Sequence, residues 1–185
     1  VLATGSVICL GLMANWVAAA LLGLAIVYYV LIYTMWLKRL TPQNIVIGGG
    51  AGAFPPMIGW AAATGAVSFD AIVPFLIIFL WTPPPFWALA LVRSGDYEKA
   101  GIPMLPVVSG GDETRRQILL YSVVMAPVAL LPVLLGFAGA LYGVVALVSG
   151  LYFLRLAYRV YRVREGDGAK EAARHLFSFS ILYLF

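Results

Sequence analysis

Apolar residues run almost without interruption through this chain, and the few polar positions cut it into blocks. Six apolar segments can be drawn, over residues 1–14, 16–36, 45–64, 69–92, 117–137 and 140–161, and a seventh opens near residue 176. About 20 helical residues span a bilayer core, so all but the first and last are long enough to cross it. Strands would alternate polar and apolar positions, and these runs do not. Only Met13-Ala-Asn15 divides the first two segments. The pattern predicts an all-α, polytopic membrane protein with one transmembrane domain over residues 1–185.

Some segments carry breaks that packing alone does not require. Gly48-Gly-Gly-Ala-Gly52 spaces small residues so that helices can approach closely. Phe54-Pro55-Pro56 follows it, and Thr82-Pro83-Pro84-Pro85 stands one segment later; both are expected to break or kink a helix. Backbone groups freed at that depth must be buried in protein or face a wet cavity. Two breaks close to one charged loop therefore predict a central cavity. The isolated Pro74, Pro127 and Pro132 predict simple kinks. The glycine run is no nucleotide loop, because no Lys-Ser/Thr and no βαβ pattern accompanies it.

Composition agrees with the periodicity. Of 185 residues, 63% are apolar and 11% charged, against about 25% charged in a soluble domain. The distribution of charge adds an orientation. All twelve Lys and Arg residues fall at Lys38/Arg39, between 93 and 116, or between 155 and 174. These are every second connection, and the intervening ones hold no basic residue. By the positive-inside rule the three basic connections face the cytoplasm, or the matrix if the protein is mitochondrial. The net charge of +4 is thus a topology signal, and no nucleic-acid partner is expected. Both ends of the chain fall inside apolar runs, so it is expected to belong to a longer protein.

One His and one Cys exclude histidine metal clusters, Ser-His-Asp machinery and an internal disulfide. Cys9, among apolar neighbours, is expected to be a small core residue. Carboxylates remain, and they suit a hard cation such as Mg²⁺ shared with substrate phosphates. The most informative stretch is Trp81–Pro106. There a long apolar run ends in Arg93, Asp96, Glu98 and Lys99, followed by the stiff Gly101-Ile-Pro-Met-Leu-Pro106. On a helix, Asp96 and Lys99 share a face and Arg93 lies one turn earlier. That places Asp96, the candidate metal ligand, beside two cations able to hold phosphate. Arg155, Arg159 and Arg162 share one helical face and read as the cytoplasmic end of a span. His175 reads as interfacial.

Several strings resemble one enzyme family. They are Tyr33-Thr-Met-Trp-Leu-Lys38-Arg39-x-Thr41-x-x-Asn44, Ala51-Gly-Ala-Phe-Pro-Pro-Met-Ile-Gly-Trp60, Trp81-Thr-Pro-Pro, Asp96-Tyr97-x-x-Ala100-Gly-Ile-Pro-Met-Leu-Pro106 and Leu176-Phe-Ser-Phe-Ser-Ile-Leu-Tyr-Leu-Phe185. From about residue 25 onward the chain resembles the heme O synthases (protoheme IX farnesyltransferases), within the UbiA-type intramembrane prenyltransferases. The resemblance implies a bundle of nine transmembrane helices around a cavity, of which this chain would supply about the third to the ninth. It implies Mg²⁺-assisted transfer of farnesyl from farnesyl diphosphate to a vinyl group of heme b, giving heme O for terminal oxidases. The implied setting is an integral, multi-pass protein of the bacterial inner membrane, with the mitochondrial inner membrane as the alternative. Heme A synthase and terminal-oxidase assembly factors are the implied protein partners.

Carried over residue by residue, Asp96 binds the metal in the second acidic motif, and Tyr33, Lys38 and Arg39 face the diphosphate. Lys38, Arg39 and Asp96 are thereby the catalytic candidates. Asn44 and Tyr97 lie in matched strings as substrate-binding candidates; Arg93 and Lys99 join them by placement alone. Two departures stand out. The family's first acidic motif lies outside this chain, which alone is expected to be inactive, and Pro85 stands where the family usually has His. Two other readings are a prenyltransferase acting on a quinone-precursor ring and a non-catalytic transporter or subunit. A transporter would scatter polar residues through its spans, whereas these charges crowd at one surface.

Overall fold

A computed structural model describes residues 1–184, which form helices and no strand. Phe185, the end of the last matched string, lies outside the described residues. The chain opens with the short apolar α1 (Leu2–Met13). The first full span begins as α2 (Trp16–Val27), continues as a π-helix over Tyr28–Trp36 and closes in a 3₁₀ turn, Leu37–Arg39. The second joins α3 (Asn44–Gly52) to α4 (Phe54–Thr64), and the third joins α5 (Phe69–Trp81) to α6 (Pro83–Val92). Two short helices, α7 (Ser94–Lys99) and α8 (Leu105–Val108), make the connection to α9 (Gly110–Val128) and α10 (Leu131–Leu134). The last elements are α11 (Ala140–Arg162) and α12 (Gly166–Tyr183).

Five of these units, Trp16–Arg39, Asn44–Thr64, Phe69–Val92, Gly110–Leu134 and Ala140–Arg162, are long and apolar enough to cross a membrane. The protein is an integral membrane protein. The expected break at Phe54-Pro55-Pro56 is real: α3 ends at Gly52 and α4 starts at Phe54. At Thr82 the backbone stays helical (φ −59°, ψ −49°), so this interruption is a bend carried by the prolines of the first turn of α6. Pro74 and Pro127 lie inside α5 and α9. The seventh segment begins ten residues before the expected position. Its first half is polar, yet Ala172, Ala173, Leu176 and Ser180 repeat at helical spacing and are buried, so amphipathicity extends the helix beyond its apolar run.

Asn15 makes the first boundary. Its Oδ1 accepts from the Ala18 N–H (2.9 Å) and caps α2, while its Nδ2 donates to the Ala61 carbonyl (2.8 Å) of α4. One amide satisfies an orphan helix donor and ties two spans together.

The core lies where α6, α9, α11 and α12 meet, around Trp87, Ile118, Met125, Phe153, Ala157 and Leu176. No charged side chain is buried among the described residues; the buried polar ones are Asn44, Thr114, Ser122 and Ser180. The three hydroxyls donate to carbonyls one turn back on their own helices, which removes the cost of an unpaired group in an apolar setting. Cys9 departs from expectation. It is exposed, because α1 buries only Gly11, which packs on Trp16. The helix is apolar on every side, so low polarity around Cys9 does not mark which side packs inward.

Candidate functional site

A cavity of about 370 Å³ opens between the π-helical segment, α3 and the α5–α6 bend. Its wall is made by Tyr29, Tyr33, Ile45, Gly48, Gly49, Gly52, Ile78, Trp81, Thr82 and Phe86. It adjoins a second, more apolar space of about 470 Å³ that runs along α2 and α4 past Leu22, Ile26, Phe54 and Ile58. The two share Tyr29, Gly48 and Gly52. Both sizes lie within the range of small-molecule pockets, about 300–1,000 Å³.

The glycine run shapes this space. A Cβ on Gly48 would come within 2.7 Å of the Tyr33 ring, one on Gly49 within 3.0 Å of Thr82, and one on Gly50 within 3.0 Å of the Tyr28 hydroxyl. A side chain at Gly48 would force the Tyr33 ring to move, and at Gly49 and Gly50 the fit is tight against two further neighbours. Opposite them the span changes from α to π winding. A nine-residue π-helix is rare, and such segments concentrate at functional sites. Here it sets Tyr29 and Tyr33 beside one another on the cavity wall, with ring centroids 5.4 Å apart.

Above the wall the chain turns sharply. Asn44 is buried and donates from Nδ2 to the Lys38 carbonyl (3.2 Å), while its Oδ1 has no partner. It pins the 38–44 turn and so fixes where Lys38, half-buried, and Arg39, exposed, leave the backbone. On the next connection, α7 carries Asp96, Tyr97, Glu98 and Lys99. Gly101 (φ +63°) closes α7 with a Schellman pair: its N–H donates to the Glu98 carbonyl and the Ile102 N–H to that of Tyr97, both at 3.0 Å. Glycine serves at this position because it alone adopts that backbone without strain. Met104 and Leu105 are then buried and anchor the loop, which accounts for the Ala-Gly-Ile-Pro-Met-Leu-Pro wording.

The sequence candidates divide in two. Tyr33 lines the cavity, and Tyr97 stands on α7, directly after the α5–α6 unit that forms another part of the cavity wall. Asn44 supports the Lys38 turn. Arg93, Asp96 and Lys99 occupy one short stretch and are exposed. Lys38 and Arg39 reach neither the cavity wall nor Asp96 by any direct hydrogen bond or ion pair among the described residues. Instead Lys38, Arg39, Arg93, Asp96, Glu98 and Lys99 are six charged side chains without an ion pair there. Tyr29 and Phe86 were not anticipated; the signal for Tyr29 was a trio of tyrosines at 28, 29 and 33 in an otherwise aliphatic span. Pro85 is fully buried and absent from the cavity wall, where Thr82 and Phe86 stand.

As a metal site the donor set is sparse. No three His, Cys, Asp or Glu side chains cluster among the described residues. Asp96 and Glu98 offer oxygen alone, which fits a Mg²⁺ that keeps its waters and takes further ligands from substrate phosphates, and does not fit a protein-caged metal.

Relatives place this arrangement. The chain is 63% identical over 185 residues to a protein of Parvibaculum lavamentivorans and 63% identical over 184 residues to one of a Methylobacterium species. A protein of Brucella ovis is 61% identical over 179 residues. Each is named a protoheme IX farnesyltransferase; the matches cover 97–100% of this chain. The chain spans 57–58% of the length of these relatives. No solved structure matches it. The model of the UbiA prenyltransferase family matches residues 1–181, and the chain belongs to that family.

Proposed function

We propose that the protein to which this chain belongs transfers a farnesyl group from farnesyl diphosphate to a vinyl group of heme b, producing heme O. The observation that carries the reading is an apolar cavity walled by tyrosines, with charges that the protein does not neutralise on the two connections that continue its wall-forming helices. The names of the relatives support the choice of acceptor. The setting is the bacterial inner membrane, with the basic connections on the cytoplasmic face.

The reaction needs opposite environments a few ångströms apart. Cleavage of the allylic C–O bond leaves a diphosphate anion and a farnesyl cation. Carbon–carbon bond formation at the vinyl terminus moves the positive charge next to the porphyrin ring. Water then adds there and releases a proton, so that farnesyl diphosphate, heme b and water give heme O and diphosphate. Lys38, Arg39, Arg93 and Lys99 hold the leaving diphosphate by charge-assisted contacts. Asp96 would hold Mg²⁺, which when bound supplies further neutralisation of the phosphate oxygens. Tyr97 and Asn44 order the two turns that present these groups. The Tyr29 and Tyr33 rings offer their π faces to the allylic cation, and the apolar space along α2 and α4 holds the isoprenoid tail and excludes water until transfer is complete.

The test uses the full-length protein in nanodiscs with heme b, farnesyl diphosphate and Mg²⁺, read by mass spectrometry for heme carrying a hydroxylated farnesyl adduct. Adduct formation that disappears on Asp96→Ala is the expected result. Consumption of farnesyl diphosphate with heme left intact would sink the acceptor assignment in favour of another ring, and no consumption would sink the transferase reading itself.

A further inference from the structure

A second ligand-sized space lies outside the candidate active site. On the outer side of α11 and α12, a groove of about 520 Å³ is lined by Tyr152, Arg155, Tyr158, Arg159, Arg162 and His175. Arg155, Arg159 and Arg162 follow i, i+4, i+7 spacing, so their side chains leave one face of α11 within a narrow arc. A single acid reaches the groove: Glu171 lies 3.7 Å from Arg159 and 3.7 Å from His175. Arg155 and Arg162 have no ion pair or hydrogen bond among the described residues. Three guanidinium groups against one carboxylate leave an excess of two positive charges.

The position of Arg155 decides what this excess is for. Arg162 lies in the last turn of α11, where a cation is favoured by the helix dipole and by water. Arg155 has no such reason. Fifteen residues separate it from Ala140 at the other end of the helix, which is about 22 Å of rise against a hydrocarbon core of about 30 Å. Its Cα therefore lies below the headgroup level, where a charge is costly unless it finds a partner. Arg155 lines the same groove as Arg159 and Arg162, and its long stem allows the guanidinium to reach the depth of lipid phosphates. Below it, Tyr152 packs edge-on against Phe179 at 4.6 Å and presents an aromatic floor suited to an acyl chain.

We propose that the α11–α12 groove binds an anionic phospholipid, its phosphate held by Arg155 and Arg162 with Arg159 shared, and its acyl chain laid over Tyr152. Basic pockets between helices on the positively charged side of a membrane protein have the charge and depth that such headgroups require. None of the four residues belongs to the proposed transfer machinery, so this site and the farnesyl-transfer reading stand or fall separately.

The experiment places the full-length protein in nanodiscs with spin-labelled phosphatidylglycerol or spin-labelled phosphatidylcholine, and electron paramagnetic resonance measures the motionally restricted fraction of each. Phosphatidylglycerol is expected to be preferred, and the preference to fall about fivefold for each arginine removed in Arg155→Gln and Arg162→Gln. Arg155→Lys should retain most of it, and Arg174→Gln, on α12 outside the groove, all of it. Unchanged circular dichroism in the glutamine variants excludes misfolding as the cause. The proposal is overturned if wild type shows no preference, if the double variant keeps it, if inorganic phosphate abolishes it at constant ionic strength, or if heme b displaces the restricted lipid mole for mole.

Discussion

Two charged regions border the apolar spans on alternate connections, and they dispose of their charge in opposite ways. Where α9 begins and α11 and α12 meet, acids have found partners. Asp112 bridges Arg115 at 3.3 Å and Arg164 at 3.5 Å, Glu113 meets Arg116 at 3.6 Å, and Asp167 meets Lys170 at 3.9 Å. Arg115 donates besides to the Arg164 carbonyl at 2.8 Å. On α7 and the 38–44 turn, the connections that follow cavity-lining helices, six charges stand with none paired to another among the described residues. Both regions are rich in Arg and Lys, and Arg155 and Arg162 are as unpaired as Lys38 and Arg39 among the described residues. What distinguishes the regions is that Asp112, Glu113, Asp167 and Glu171 are paired while Asp96 and Glu98 are not. Charges satisfied within the fold hold helix ends in register, and charges left unsatisfied beside an apolar chamber are available to a ligand.

The largest expected effect lies in the unpaired region. Asp96→Ala removes a carboxylate that makes no side-chain bond in the described structure, so its stability cost is small. Turnover should nevertheless fall by about 10²- to 10³-fold, the size seen when one preorganised electrostatic group is lost. Single-turnover kinetics with an unchanged melting temperature would establish that separation. Retained turnover would mean that α7 is only a connection. Next in size are Arg93→Ala and Lys99→Ala, each expected to raise KM for farnesyl diphosphate about tenfold or more, as a charge-assisted contact commands. If KM holds and the protein merely unfolds more easily, the phosphate-holding role is wrong.

How far these regions could be read from sequence follows from what each depends on. Spans were legible because a bilayer imposes length and continuous apolarity, and the break at Phe54-Pro55-Pro56 because proline removes a donor and fixes φ. Asp96, Lys99 and Arg93 were legible as a group since they fall within seven consecutive residues. The π winding of Tyr28–Trp36 was not, because it changes hydrogen-bond register without demanding any particular residue type. The role of Asn44 in pinning the Lys38 carbonyl was likewise hidden: a buried amide and a turn six residues earlier meet only once the chain has folded. The early start of α12 was obscured by its charges, which face outward while small residues at helical spacing make the contact. Cys9 misled since apolar neighbours signify a core only when the surroundings are water.

The glycine run sharpens the comparison, for it lines the cavity and none of its close neighbours is charged. A methyl group at Gly48 would sit 2.7 Å from the Tyr33 ring, too close to be accommodated without moving the tyrosine. Gly48→Ala should lower kcat by about tenfold through the displaced ring, and overpacking should cost about 1–3 kcal/mol of stability. Gly59, on α4 outside both cavity linings and with open space around its Cβ position, provides the matched control: Gly59→Ala should leave both measurements near wild type. Equal losses in the two variants would indicate that helix propensity or general packing, not the Tyr33 wall, is what the assay reports.

The smallest effect is expected where charge is already settled. Asp112→Asn removes both acid partners of Arg115 and Arg164 while keeping shape and hydrogen-bonding capacity. Asp112 is 68% exposed, and exposed ion pairs contribute about 0–1 kcal/mol each, with salt screening what remains. With two such pairs lost, thermal unfolding in detergent should shift by no more than about 2 kcal/mol in stability, less at high salt, with KM for farnesyl diphosphate unchanged. Arg115 is the half of this pair that tests the argument harder, for its side chain is only 14% exposed and it also holds the Arg164 carbonyl. Arg115→Gln strips an ion pair and a charge-assisted hydrogen bond across the α9–α12 junction, so it should destabilise by about 1–3 kcal/mol, still without altering KM. A rise in KM from either variant would show that the paired region reaches the substrate, and pairing would then no longer separate structural charge from chemical charge in this protein.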